Sequence, residues 1–531
     1  MLIASSQTLA KGQDRLAPKA ARPRIVGPGL PGFAILTLVF ALSITASFAM
    51  AVEQWHIPAI IVAGLILINA LWISGGAATA LLGLLSKRVM VIDAPRAWVP
   101  QNRTAILITV CGEDIAPLAR YLASFANGLK TAGIADHTRV FVLSDTSGAD
   151  QIKDEQQALA GLIDAGQISY RRRIANTRKK PGNIADWLTA EGENFDFMLV
   201  KDADSRMSVH CTRNLIWGLE QRPQTGLLQA AIAMVPGRTR FGRHQRVSSR
   251  LLGRIFGRGF VAASGKAGNY WGHNAIMRIK AFRAAAHLPQ LPGKAPFGGD
   301  ILSHDFVEAA WMRRAGWDIE LATEVGGSAE DAPQTMHEFF RRDRRWCQGN
   351  LQHLRICTAA GLHPLSRLHL IMGAFSYLSA PILLILLALL SFGVVSVTHY
   401  GAILVVAIVL FIPKLCALAD RLPAARTGQR RRVILRAWLS ELGLSTLVGP
   451  LISLRHSAAV LSICMGRDCG WKSGRRGTWR LPAGWPEAAA GLAILLLALN
   501  SQAISALWLA PIFGPLIMAP VLIPLLDGEP A

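Results

Sequence analysis

Residues 197–205 read FMLVKDADS. An apolar run that ends abruptly in charge is the pattern of a buried strand that surfaces at its carboxyl end. In an extended chain neighbouring side chains alternate, so Asp202 and Asp204 face one way and Ala203 the other. Upstream, residues 104–110 (TAILITV), 139–144 (RVFVLS) and 168–172 have the same strand character, and 114–132 has helical periodicity. Strands alternating with helices predict an α/β domain with a mostly parallel sheet, in which ligands bind at the carboxyl ends of the strands. The informative polar residues fall there: Glu113 and Asp114 after the first strand, Asp145 after the second, Asp202 and Asp204 after the fourth.

Two carboxylates at a strand end can hold Mg2+ or Mn2+, ions that favour carboxylate and phosphate oxygens and bridge a diphosphate. A solvated turn is the competing reading of a lone Asp-x-Asp. Asp145 can accept hydrogen bonds from a base or ribose, and Lys179 and Lys180, just before Gly182-Asn183, can reach the same phosphates. Residues 301–317 (ILSHDFVEAAWMRRAGW) turn helical after Asp305, which reads either as a helix cap or as a general base for an acceptor hydroxyl. Trp271, His273 and Asn274 offer aromatic and amide groups suited to a sugar. Residues 341–352 (RRDRRWCQGNLQ) pack arginines around Trp346, pairing bidentate anion binders with a flat apolar face.

The rest of the chain is membrane-like. Of 531 residues 51% are hydrophobic, and mean hydropathy is +0.33. Residues 33–52, 57–86, 370–396 and 401–419 are apolar over spanning length, and 487–526 has room for two short spans turning near 500–505. No cleavable signal peptide is apparent. Lys and Arg gather in 1–32, at Lys87 and Arg88, and after the fourth span, while the other turns lack them; this predicts cytoplasmic termini and a cytoplasmic central region. The expected order is a tail (1–32), two spans (33–88), the α/β domain (89–366), two spans (367–420), a basic region (421–486) and two short spans with the C-terminal tail (487–531). Residues 437–465 are too short for two spans and are interrupted by Glu441, Pro450, Arg455 and His456, which predicts an interfacial or re-entrant helical pair. Lys414 reads as a snorkelling anchor or as lining a polymer path. The net charge of +22 fits an anionic membrane face and an anionic substrate rather than nucleic acid. Seven scattered cysteines without a CxxC pair support neither a zinc site nor a disulfide scaffold.

VLSD, KKPGN, KDADS, YWGHNAI, SHDFVEAA and RRDRRWCQGN, in that order over about residues 100–465, resemble the processive, inverting family-2 glycosyltransferases, in particular the branch that makes osmoregulated periplasmic glucans. The resemblance implies a GT-A (Rossmann-like) domain inserted between transmembrane helices of a bacterial inner-membrane protein, with UDP-glucose as donor and a growing β-linked glucan as acceptor. It implies uridine binding by Asp145, metal binding by Asp202 and more closely Asp204, and catalysis by Asp305 as base. Donor contacts are expected from Glu113, Lys180, Asn183, Asp202, Arg342 and Arg345, and acceptor contacts from Trp271, His273, Asn274 and Trp346. Family partners would include glucan-processing proteins and acyl carrier protein. The first-strand motif departs from the family's Pro-x-x-Asn-Glu, reading Thr109-Val110-Cys111-Gly112-Glu113, and residues 471–479 (WKSGRRGTW) stand where relatives carry a gating loop. A cellulose or other polysaccharide synthase is the neighbouring reading, and a non-catalytic sugar-nucleotide sensor or transporter the one from another class.

Overall fold

The structure, a computed structural model, describes residues 29–86, 91–285, 288–470, 484–501 and 506–529. The chain opens with two apolar helices, α1 (Leu30–Ala51) and α2 (Ile57–Leu85). His56 caps α2 by accepting from the Ala59 amide at 3.3 Å, and Pro58 in its first turn needs no donor.

The α/β domain then runs β1 (Thr104–Val110), α3 (Ile115–Thr131), β2 (Thr138–Ser144), α4 (Ala149–Asp164), β3 (Ser169–Arg172), α5 (Lys179–Ala190) and β4 (Phe197–Asp202). It continues through β5 (Arg206–Met207), α6 (Val209–Glu220), β6 (Thr225–Ala230), β7 (Ala233–Met234), α7 (Arg240–Ser264), β8 (Ala275–Arg278) and α8 (Ile279–Arg283), and closes with α9 (His304–Arg314), β9 (Asp318–Ala322), β10 (Ser328–Glu330) and α10 (Met336–Ile356). The main sheet has the order β3-β2-β1-β4-β8-β6-β9, with β8 antiparallel to both neighbours; a small sheet has the order β5-β10-β7.

The apolar runs are explained by burial on both faces. Leu107, Phe141, Met198 and Val200 face one core, and Ile106, Val142, Phe197 and Leu199 face the other. Parallel register places the strand ends level, because Val110 pairs with Ser144 and Thr109 with Asp202. One residue of slip would turn Asp202 away from the site.

Five more apolar or amphipathic stretches follow the domain: α11 (Pro364–Ser391), α12 (Gly401–Arg421), α13 (Gly428–Cys464), α14 (Trp485–Ser501) and the pair α15 (Ala506–Ile517) and α16 (Ala519–Asp527). Among the described residues, five helices are long and apolar enough to cross a membrane: α1, α2, α11, α12 and α13. The bent pair α15–α16 would make six.

Two expectations are corrected here. Residues 437–465 are not a helical pair but part of the single 37-residue α13. The polar residues that read as breaks are pairing positions: Glu441 takes Lys414 at 2.5 Å, His456 takes Asp343 at 2.7 Å, and Arg455 pairs with Glu487. Lys414 is therefore not a free snorkelling anchor, since Glu441 and Ser445 hold it between α12 and α13. The same helix, apolar enough to cross, also touches the α/β domain, reaching Ser248 of α7 through Glu441 and Arg344 of α10 through Ser462. In 487–526 the apolar block forms α14 and, after residues 502–505, the pair α15 and α16, bent by 65° where Pro515 and Pro520 flank Met518. The basic residues of 1–28, Lys87, Arg88, the turn at 502–505 and the loop 471–479 lie outside the described residues.

Close approach couples the domain to the first apolar hairpin. A Cβ on Gly83 of α2 would lie 1.8 Å from the Ile255 carbonyl oxygen of α7, and one on Gly259 would lie 1.8 Å from that of Thr79. At the far end of the chain, Asp527 accepts the amide of Met336 at 2.7 Å and so caps the first turn of α10.

Candidate active site

A cleft of about 800 Å³ opens at the carboxyl ends of β1, β2 and β4 and reaches Gly373, Ser376 and Tyr377 on α11. Every site residue expected from the sequence lines it except Asn183 and Asn274.

Those two are corrected. Asn183 is buried in the first turns of α5, where its Nδ2 donates to the Leu143 carbonyl at 3.2 Å and its Oδ1 accepts from Arg171 at 2.6 Å. It ties α5 to β2 and β3 instead of facing a donor. Asn274 is fully buried at φ 52°, and its Nδ2 turns to the Ala329 carbonyl at 3.4 Å. Its value is the left-handed backbone that Asn tolerates.

Asp145 is held from below by Arg173, whose Nε and Nη2 donate to the two carboxylate oxygens at 2.7 and 2.8 Å. Arg173 also pairs with Asp186 at 2.9 Å and donates to the Lys179 carbonyl at 3.0 Å. A buried fork of this kind fixes both the charge and the orientation of its carboxylate. The sequence reading missed Arg173; the signal was there in the Arg171-Arg172-Arg173 run at the end of β3, next to Asp145 in space. Glu113 turns back to accept the Cys111 amide at 2.5 Å, which shapes the loop after β1.

At the end of β4, Asp202 pairs with Lys180 and accepts from Thr109 Oγ1 at 3.2 Å. Lys180 also donates to the Gly272 carbonyl at 2.7 Å, bridging the β4 end to the Trp271–His273 loop. Asp202 and Asp204 both line the cleft, and Ala203 is buried between them. Desolvation inside the cleft and the neighbouring charge of Asp202 push the Asp204 pKa up to about 6. Excess negative charge at this point suits a divalent cation. Among the described residues no group of three His, Cys, Asp or Glu side chains forms a complete metal cage. Two carboxylates complemented by substrate phosphate and water are the set that Mg2+ prefers, so the residues fit such an ion.

Asp305 lies in the first turn of α9; the N-cap is Ser303, which makes no side-chain capping bond. Burial raises the Asp305 pKa above the usual carboxylate value, with Glu308 adding to the rise and His304 opposing it. His304 and Glu308 form a buried pair at 3.1 Å directly behind it. Gly272, at φ +85°, brings the Trp271 loop so close that a Cβ there would lie 3.3 Å from Asp305 Oδ2. His273 bonds Ser205 and Glu330, each at 3.0 Å. Burial alone would lower its pKa, but the Glu330 bond and the Asp202 charge outweigh burial and raise it.

The far wall is α10. The Arg342 guanidinium lies 4.5 Å from the Trp346 ring centroid, and both residues line the cleft with Arg345. Burial lowers the Arg345 pKa, and repulsion from Arg341 and Arg342 lowers it further, as expected of cations waiting for an anion. Trp346 and Trp271 remain 44% and 37% exposed, leaving two flat apolar surfaces facing solvent within a largely buried site. A second residue missed by the sequence reading is Asn350, one turn beyond Trp346. Its Oδ1 is buried without a hydrogen-bond partner at the point where the cleft meets α11. Behind this wall Asp343 accepts from Tyr377 at 3.0 Å and pairs with His456, locking α10 to α11 and α13.

A mixed sheet with paired carboxylates at its strand ends, an isolated buried carboxyl and an Arg–Trp wall define a glycosyltransferase with a GT-A-like domain flanked by apolar helices. The family described as Glycosyl transferase family group 2 matches residues 197–418. The glucans biosynthesis glucosyltransferase H of Xylella fastidiosa is 34% identical over 95% of this chain and 86% of its own length. Its counterpart in Xanthomonas campestris is 34% identical over 98% and 88%, and that of Bradyrhizobium diazoefficiens 36% identical over 86% and 67%. A mannosyltransferase from Pyrobaculum calidifontis, solved with GDP-Man and Mn2+, superposes with a TM-score of 0.44 at 14% identity over 81% of this chain and 99% of its own. The chain belongs to the glucans biosynthesis glucosyltransferase H family, a membrane branch of the family-2 glycosyltransferases.

Proposed function

We propose that the protein polymerises glucose from UDP-glucose into the β-linked backbone of osmoregulated periplasmic glucans, by inverting transfer. The observation that carries this reading is one continuous cleft in which Asp202 and Asp204, Asp305 and the Arg342–Arg345–Trp346 wall converge against α11. Glucose and glucan come from the names of the relatives.

Asp145, fixed by Arg173, receives the uridine. Asp305 takes the proton from an acceptor hydroxyl; that oxygen attacks the anomeric carbon as the bond to the diphosphate breaks on the opposite face. Arg342 and Arg345 stabilise charge developing on the leaving diphosphate. Asp202 and Asp204 would hold Mg2+ or Mn2+, which would supply further neutralisation there. Trp346 and Trp271 hold the acceptor end in attack geometry.

In this reading the chain sits in a bacterial inner membrane with its termini and α/β domain in the cytoplasm, and the growing chain leaves along α11 toward the periplasm. Purified protein in nanodiscs, incubated with UDP-glucose and Mg2+, should release UDP and yield a β-linked glucan, and chelation by EDTA should stop it. No UDP release would reject the enzyme reading in favour of a sensor, and a β-1,4 product would move the protein to the cellulose-type synthases. In sealed vesicles, glucan found only on the donor side would remove the export step.

A further inference from the structure

The basic turn between α12 and α13 belongs to no part of the cleft. Residues 421–440 contain six arginines (Arg421, Arg426, Arg430, Arg431, Arg432 and Arg436) and no Asp or Glu. The carboxylates at the two ends of this stretch are already engaged, Asp420 by Arg258 at 3.1 Å and Glu441 by Lys414 at 2.5 Å. All the arginines from Arg426 onward are exposed. We infer that this turn, together with the facing side of α7, binds the headgroups of anionic phospholipids.

Three observations point to lipid rather than to a soluble anion. First, the outward face of α13 mixes cations with aliphatic side chains. Val433 is 61% and Leu439 58% exposed, and they share that face with Arg432 and Arg436. A dissolved phosphate satisfies the guanidinium groups but leaves the aliphatic groups in water, whereas the headgroup–acyl boundary satisfies both. Second, the stretch starts where the 21-residue apolar α12 ends, so its arginines lie at headgroup depth. Third, the patch is built from two elements. Arg421 Nη2 donates to the Arg250 carbonyl of α7 at 2.6 Å, and α7 adds the exposed Arg243 and Arg250. Between these, Arg246 keeps a buried Nε with no hydrogen-bond partner. Arginine forks are suited to phosphate diesters, and basic segments beside a membrane attract acidic lipids.

The inference does not rest on the reading of the cleft, and its test uses binding. The full chain, in nanodiscs of phosphatidylcholine with about 30 mol% phosphatidylglycerol, is delipidated stepwise and the retained lipid identified by native mass spectrometry. Phosphatidylglycerol should be retained over phosphatidylcholine by at least about fivefold. The combined R430Q/R431Q/R432Q/R436Q variant should lose that preference, while the matching Arg→Lys variant should keep a part of it. V433S/L439S should weaken retention at unchanged charge. Equal retention of the two lipids by the parent protein would overturn the proposal, as would a preference that survives the Arg→Gln changes. Competition by free glycerol 3-phosphate as effective as that by phosphatidylglycerol vesicles would also overturn it, in favour of a soluble-anion site. Should the Arg→Gln variant not fold, loss of the preference in high salt gives the same decision on the parent chain.

Discussion

Asp305 is a carboxyl whose surroundings disfavour its charge. Asp305→Asn should lower glucosyl transfer by at least about 100-fold, the scale of a lost general base, with donor binding retained when followed by tryptophan fluorescence. Because burial raises its pKa, the acid limb of the rate profile should lie above the ordinary carboxylate range and vanish in the variant. The sign for stability follows. A carboxyl with a raised folded pKa binds its proton more tightly folded than unfolded, so its contribution falls as pH rises through the folded pKa. At neutral pH Asp305→Asn should therefore melt no lower than the parent, and a clear drop in Tm would mean that Asp305 is mainly structural. Arg173→Ala has the opposite profile. It strands a buried Asp145 and should cost about 3–5 kcal/mol in denaturant melts along with donor affinity.

At the scale of elements, the crossing of α2 and α7 allows no side chain at two positions. Gly259→Val should prevent the approach of Gly259 to Thr79 and reduce the yield of folded protein in size-exclusion profiles, whereas Gly253→Ala, with only Ser249 nearby, should be tolerated. The strands that carry the site were readable because their cores are two-sided: TAILITV is β1 to the residue, RVFVLS is one residue short of β2, and 168–172 is one residue longer than β3. Asn183 and Asn274 misled because a motif reports which residue stands at a position and not where its side chain points. Both serve backbone geometry beside the cleft. Arg173 and Asn350 were missed because their importance comes from partners, or an absent partner, that only the folded chain brings near. The charges within α13 read as interruptions for the same reason, since Lys414, Asp343 and Glu487 are distant in sequence.

Across the whole molecule, the Arg–Trp wall is braced by the apolar helices. Asp343, Tyr377 and His456 join α10, α11 and α13 in one buried contact. His456→Ala should lower kcat more than it raises the KM for donor, since it loosens the helix carrying Arg342 and Trp346 without touching the nucleotide wall, and steady-state kinetics would separate the two. A second brace joins Arg254 and Arg258 of α7 to Glu324 and to Asp420 of α12. The α/β domain and the apolar helices are thus joined by buried polar contacts as well as by the chain.

The bond from Asp527 to the Met336 amide also sets a timetable. A ribosome delivers residue 336 long before residue 527, so the helix bearing the Arg–Trp wall emerges with its Thr335 cap alone and gains a second acceptor only when the last described helix packs beside it. A nascent chain stalled after residue 470 carries every residue that lines the cleft and still lacks this second acceptor.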